Sequence, residues 1–314
     1  MSVSELSVPA SEPKVVRDPK PPRRPPRQPP PPLGRLQRAL RAALTVLAGL
    51  LLAFTVNVTV LSQLQHAVAQ QQLHNEFREE LASGTAPVSE GDFNQVLLSD
   101  GVPVAQISIP EIGVDETIVE GTTSADTQKG PGHRRDTVLP GQAGVSVIMG
   151  RASAYGGPFA SVQELVPGVK FTVLTGQGKS TYSIIGVRYA GDPSPAAPAA
   201  GQARLVLETA RGPWFAPSGV AYVDAELIGT AKAAGPRLTT FAALPAESHE
   251  MATDTTTVWA LVFALQFLVA VEIAALWTFR RIGLRKTWIV FVPLFSLAFL
   301  FVANQTTILL PNLL

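Results

Sequence analysis

Residues 140–159 read PGQAGVSVIMGRASAYGGPF, in a chain of 314 residues that contains no cysteine. Residues 145–149 are mostly apolar and rich in β-branched side chains, a pattern that predicts a β-strand. Pro140-Gly141 before this run and Gly156-Gly157-Pro158 after it are strong turn formers. The stretch therefore predicts a short strand bounded by turns, the building unit of a sandwich or barrel.

The same pattern recurs throughout residues 102–229. Further candidate strands lie at residues 104–109, 117–119, 170–174, 181–187, 204–208 and 220–228. Only residues 161–165 favour a short helix. Many short strands with few helices predict a mainly β domain, a closed barrel or a sandwich.

Several motifs in this region, in this order, resemble the sortase family, the membrane-bound transpeptidases of Gram-positive cell surfaces. They are AQISIPEIGV at 105–114, KGPGH at 129–133, PGQAG at 140–144, PF at 158–159 and LVPG at 165–168. The resemblance covers residues 102–229 and implies a closed sortase-like β-barrel outside the membrane.

The resemblance also identifies three positions at which a sortase carries its catalytic cysteine, histidine and arginine. In this chain they are Ala210, Arg151 and Val220, respectively. A methyl group cannot attack a carbonyl carbon, and an arginine stays protonated at neutral pH. The sequence therefore predicts a degenerate site, with no catalytic residue, cofactor or metal at these positions.

Two alternatives remain open at this site. A relocated nucleophile, Thr209 with His133 as its base, would make the chain an unconventional transpeptidase or hydrolase. Alternatively, a groove persists and binds an extracellular polypeptide or a cell-wall component without cutting it. The candidate groove residues are Arg151, Glu208, Thr209, Trp214 and Phe215. Arg151 would then meet a ligand, or fill the pocket through an internal ion pair with Glu208 or Asp224.

Three apolar stretches, residues 39–61, 258–279 and 288–310, each have the length that a helix needs to cross a bilayer. Basic residues cluster before the first stretch and in the loop at 280–287. They are Arg23, Arg24, Arg27, Arg35, Arg38, Arg41, Arg280, Arg281, Arg285 and Lys286. By the positive-inside rule, we expect a multi-pass protein of the plasma membrane with a cytoplasmic N-terminus and an extracytoplasmic β-domain.

The remaining segments connect these parts. Residues 1–38 are rich in Pro and Arg and predict a disordered tail, or a ligand for a proline-binding module or anionic lipid. Residues 62–101 predict a helical stalk and linker, and residues 230–257 a second linker. In the stalk we expect His66 and His74 to be solvated. Its apolar stripe is Leu61, Leu64, Val68, Phe77 and Leu81.

Glu272 lies inside the second apolar stretch. A carboxylate at that depth is costly unless it has a partner. We expect it to contact another membrane protein, or a neighbouring helix through Asn57, Asn304 or Gln305. Nucleotide, metal and nucleic-acid signatures are absent from the sequence.

Overall fold

The computed structural model describes residues 34–92, 94, 96–214 and 216–314. Residues 1–33 of the predicted 1–38 tail lie outside the described residues, as does Phe215, whereas residues 35–38 are helical. The described residues up to Leu44 belong to one compact unit, and residues 45–314 form a second.

Eight strands close a β-barrel in the order β1-β2-β3-β4-β7-β8-β6-β5, which confirms the predicted barrel. The strands are β1 Pro103–Ile109, β2 Val114–Glu120, β3 Gly132–His133, β4 Gly144–Met149, β5 Lys170–Thr175, β6 Gly178–Tyr189, β7 Ala203–Arg211 and β8 Gly219–Ile228. The sequence pattern did not predict β3, because two residues are too short to show an alternation of apolar side chains.

The pairing of β4 with β7 positions the candidate site. These strands run parallel, with Met149 opposite Glu208, whereas β7 and β8 run antiparallel, with Ala210 opposite Val220. Since parallel strands end at the same edge, the residues after β4 lie beside the end of β7.

The barrel interior follows from strand alternation. Leu205 and Leu207 of β7 point into the core with Ile107, Ile148 and Val223. Val206, Glu208 and Ala210 therefore point to the outer face of the same strand. Gly150, directly after β4, is required by close packing, because a Cβ atom there would overlap the ring of Phe159.

In the described part of the chain, three helical stretches are long and apolar enough to cross a membrane. The first is formed by α1 Arg35–Val56, a π-helical turn Asn57–Leu61 and α2 Ser62–Ser83. The others are α4 Val258–Ile282 and α5 Leu284–Ile308. These bounds cover most of each predicted span.

Helix α2 packs against the barrel, which corrects the expectation for the stalk. Leu64 and Val68 are each 59% exposed, so the predicted stripe is wrong at both. His66 is buried rather than solvated, and its Nε2 lies 3.1 Å from Glu116 Oε1. Gln70 Nε2 donates to Thr117 O at 3.0 Å, and Gln70 Oε1 accepts from Thr117 N at 2.7 Å. Polar contacts thus hold the helix on β2.

Polar side chains of the membrane-span helices form hydrogen bonds, but in the described part of the chain none of these bonds involves Glu272, contrary to the expectation that it contacts a neighbouring helix. Thr307 Oγ1 donates to Asn57 Oδ1 at 2.8 Å, and Gln65 Nε2 donates to Asn304 Oδ1 at 3.2 Å. Glu272 is half-buried, and no hydrogen bond or ion pair joins it to another described residue. Two of its predicted partners, Asn57 and Asn304, are therefore bonded to other residues.

A short helix, α3 Ser124–Thr127, lies after β2. Thr123 caps it, because its side chain accepts from Asp126 N while the Asp126 carboxylate accepts from Thr123 N. This capping box fixes the start of the helix and the position of Ser124.

Candidate functional site

The three predicted catalytic positions come together at one end of β4, β7 and β8. Gly150 N donates to Glu208 O at 2.9 Å, which places Arg151 beside β7. Ala210 and Val220 are direct partners across the β7–β8 ladder. We call the outer face formed by Met149, Arg151, Ala210 and Val220 the β4–β7–β8 groove.

The groove is filled by the segment that follows α5. Leu313 and Leu314 pack with Met149, Ala210 and Val220 in one buried apolar cluster. The sequence interpretation gave residues 311–314 no role. The available signals were a turn-forming Pro311-Asn312 pair and two leucines beyond the predicted span.

Arg151 is completely buried, and it binds backbone and hydroxyl oxygens rather than a carboxylate. Its Nη2 donates to Ser124 O at 3.0 Å and to Ser124 Oγ at 2.8 Å, and its Nη1 donates to Pro311 O at 3.2 Å. Its guanidinium carbon lies 4.9 Å from the centre of the Tyr155 ring. Burial lowers the pKa of Arg151 to about 10, so the group stays protonated at neutral pH.

Tyr155 has a φ of 51°, in the left-handed region that a residue other than glycine seldom adopts. Its ring covers Arg151, and its backbone N–H donates to Ser62 Oγ at 3.3 Å. Burial raises the pKa of the Tyr155 hydroxyl. The strained backbone turns this ring onto the guanidinium.

Glu208 and Asp224 pair with arginines other than Arg151. Glu208 Oε1 lies 3.5 Å from Arg134 Nη1, and Asp224 Oδ2 accepts from Arg188 Nε at 2.8 Å. The expected ion pair of Arg151 with either carboxylate is therefore replaced by hydrogen bonds to Ser124 and Pro311.

A chamber of about 470 Å³ lies beside the groove and is lined by charged groups. Its lining includes Arg134, Arg188, Glu208, Tyr222 and Glu250. Burial first, and then the nearby Glu250 carboxylate, raise the pKa of Glu208 to about 8, while Arg134 and Arg188 oppose the shift. Burial therefore favours the protonated form of Glu208, and the two arginines favour its carboxylate.

No hydrogen bond joins Thr209 to His133, the nucleophile and base of the alternative hypothesis. Thr209 is completely buried and, by strand alternation with Leu205 and Leu207, points toward the barrel interior. His133 Nδ1 lies 2.8 Å from Glu120 Oε2, and its Nε2 lies 3.0 Å from Val138 O. Both ring nitrogens are already engaged.

Comparison with known proteins identifies the barrel. Residues 107–227 match the family model described as Sortase domain. They form a sortase domain. Sortase D of Bacillus subtilis (strain 168) is 34% identical over 79 residues, which are 25% of this chain and 38% of that relative. The match thus spans well under half of the curated relative's length.

Two solved sortases are also similar to this chain. A Clostridium perfringens sortase D5 transpeptidase has 21% identity and a TM-score of 0.42, covering 52% of this chain and 99% of that one. Sortase C2 of Group B Streptococcus pilus island 1 has 22% identity and a TM-score of 0.37, covering 51% and 98%.

The remaining predicted groove residues lie at the edge of the sortase domain. Trp214 is 68% exposed and lines a cavity of about 70 Å³ together with Ala210, Arg211 and Leu314. Phe215 lies outside the described residues. Within the described part of the chain, no group of three or more His, Asp or Glu side chains could hold a metal ion.

Proposed function

We propose that this chain is a membrane-anchored, non-catalytic sortase-domain protein that binds or scaffolds a surface polypeptide, or a cell-wall or membrane assembly. The observation that carries the proposal is the packing of Ala210. Its methyl group, at the predicted nucleophile position, lies in an apolar cluster with Leu313 and Leu314.

The surrounding residues supply no substitute chemistry. Acyl transfer needs a nucleophile within reach of a base, and a donor for the leaving amine. Thr209 points to the opposite face, and the ring nitrogens of His133 are already engaged. Arg151 holds its proton with a pKa of about 10, so it is a poor proton donor at neutral pH.

The proposed location is a plasma membrane, with the barrel on the extracytoplasmic side. The basic residues at 280–287 lie where α4 ends and α5 begins, and they support this orientation by the positive-inside rule. Three such helices exceed the single anchor that the barrel needs, which favours a place in a membrane assembly. Half-buried Glu272 is the proposed contact for a membrane-protein partner.

The decisive experiment separates binding from cleavage. A photo-crosslinking amino acid replaces the exposed Trp214 in the full chain, and crosslinked material from native membranes is examined by mass spectrometry. We expect an intact polypeptide on the Trp214 probe, and none on a matched probe at Val166, which is also an exposed apolar residue.

Activity is measured on the same preparations with recovered polypeptides and an amine acceptor. The wild type, Thr209→Val and Ala210→Cys are all expected to leave the polypeptides intact, while the Clostridium perfringens sortase D5 transpeptidase serves as reference enzyme. Cleavage by the wild type that Thr209→Val abolishes would establish the relocated nucleophile and overturn the proposal.

A further inference from the structure

The 309–314 segment is held in the groove by backbone hydrogen bonds. Ala152 N donates to Leu313 O at 2.9 Å, and Ala154 N donates to Leu314 O at 2.7 Å. Within the segment, Leu314 N donates to Pro311 O at 3.0 Å and closes a turn. The loop after β4 therefore receives a folded peptide turn.

Asn312 is the residue of the segment whose side chain forms hydrogen bonds, and it is completely buried. Its Nδ2 donates to Thr122 O at 2.7 Å and to His249 O at 2.8 Å, and its backbone N donates to Ala252 O at 3.0 Å. Both N–H donors of the carboxamide are used, a match that an aliphatic side chain cannot reproduce.

Ser124 and Arg151 bind the backbone of the same segment. Ser124 Oγ lies 2.8 Å from Ile308 O and 2.9 Å from Leu310 O, and Arg151 Nη1 donates to Pro311 O. Arg151 is thus the link between α3 and the segment, because its second nitrogen donates to Ser124. These contacts recognise the backbone oxygen of the last residue of α5 and those of residues 310 and 311 in the segment.

We propose that the β4–β7–β8 groove is a binding site for a short peptide turn, and that the 309–314 segment is its resident ligand. The recognised chemistry is an apolar peptide with a side-chain carboxamide directly after proline. The inference rests on the proposed function, since a peptide-cleaving site would not keep such a ligand.

The covalent link to α5 makes the resident ligand hard to displace. A tethered segment acts at an effective concentration in the millimolar range, so a free peptide of equal affinity competes poorly. Thr307, next to the end of α5, is bonded to Asn57 in the first apolar stretch. Movement of α5 relative to that stretch would withdraw the segment and open the groove.

The first experiment removes the resident ligand. The full chain and a variant lacking residues 309–314 are placed in nanodiscs and titrated with a fluorescent peptide of residues 305–314, QTTILLPNLL. We expect binding to the variant to be at least about tenfold tighter than to the wild type. In the peptide, Asn312→Ala should weaken binding about tenfold, because two buried hydrogen bonds are lost, whereas Gln305→Ala should not.

The second experiment does not depend on the stability of the deletion variant. Because the chain has no cysteine, Ser153→Cys with Leu314→Cys provides a clean disulfide test; Ser153 Oγ lies 3.1 Å from Leu314 O. We expect ready crosslinking of this pair and none of Val166→Cys with Leu314→Cys. Reduction of the crosslinked form should increase binding of the free peptide.

Either of two results would overturn the inference. One is a folded deletion variant, by its thermal unfolding transition, that binds the peptide no better than the wild type. The other is a Ser153–Leu314 pair that crosslinks no more than its control. Mass spectra of the recovered peptide separate a failure of the proposed function from a failure of this inference. A cleaved peptide would refute the non-catalytic function, but it would not contradict the binding site.

Discussion

His133 and Arg151 are both completely buried, but the protein satisfies them in opposite ways. His133 contacts the Glu120 carboxylate at 2.8 Å and the Val138 backbone oxygen at 3.0 Å. Arg151 has no carboxylate within ion-pair distance among the described residues, and it relies on oxygens of Ser124 and Pro311.

The two residues differ in whether their hydrogen-bond partners belong to the barrel. The partners of His133 lie within 13 residues of it in sequence, on the barrel itself. One partner of Arg151 lies 160 residues away, beyond the last apolar helix. The barrel is therefore complete without the 309–314 segment, whereas the groove reaches its observed packing only when that segment is present.

Glu120→Ala is expected to have the largest effect on stability. It would leave His133 without its carboxylate partner in a site where both side chains are wholly buried. Breaking a buried polar or ionic pair from one side costs about 3–5 kcal/mol. Thermal unfolding of the detergent-solubilised chain measures the loss.

The matched control is Glu111→Ala, because Glu111 is exposed on the turn after β1. Its effect should stay within about 0.5 kcal/mol. If the two variants unfold alike, the His133–Glu120 pair does not stabilise the barrel. The contrast between buried His133 and buried Arg151 would then not hold.

Arg151→Met is expected to cost less, about 1–2 kcal/mol, because it removes the charge together with its donors and keeps most of the volume. The freed oxygens of Ser124 and Pro311 account for the loss. Arg78→Met, at an exposed position of α2, is the control. A loss of stability equal to that of Glu120→Ala would mean that the charge of Arg151 itself holds the groove together. Disulfide trapping of Ser153→Cys with Leu314→Cys in the Arg151→Met variant would report whether the 309–314 segment is released.

Much of the barrel could be predicted because its strands carry local signals. Apolar alternation and Gly-Pro turns located seven strands, and the ordered motifs placed Arg151, Ala210 and Val220 at one site. The structure brings these three together through the β4–β7 and β7–β8 ladders. Short-range patterns suffice where the contacts follow strand register.

The groove occupant and the docking of α2 leave no such pattern. Asn312 bonds to Thr122 across 190 residues, and nothing periodic in the sequence marks this contact. Helix α2 docks through His66 and Gln70, polar residues that a search for an apolar stripe passes over. Long-range polar contacts depend on the assembled fold, so they become visible only in the structure.

Glu208 extends the comparison to a buried acid with mixed neighbours, and Glu208→Gln should give the most pH-dependent effect, which is the smallest of the three only below about pH 5. Burial raises its pKa to about 8 in the folded chain, from an ordinary value of 4.5, against the influence of Arg134 and Arg188. The folded state therefore holds the proton more tightly than the unfolded state. The contribution of Glu208 to the free energy of unfolding is therefore fully present below pH 4.5, and it is lost as the pH rises to about 8.

The wild type should accordingly lose up to about 1.4 kcal/mol of stability per pH unit between pH 5 and 8 from this group. Glu208→Gln, which is neutral at every pH, should flatten that part of the curve. Glu164→Gln, at an exposed position, should follow the wild type. A wild-type curve as flat as that of the Gln variant would mean that Arg134 and Arg188 keep Glu208 ionised. Glu208 would then have arginine partners for its charge, whereas Arg151 relies on the oxygens of Ser124 and Pro311.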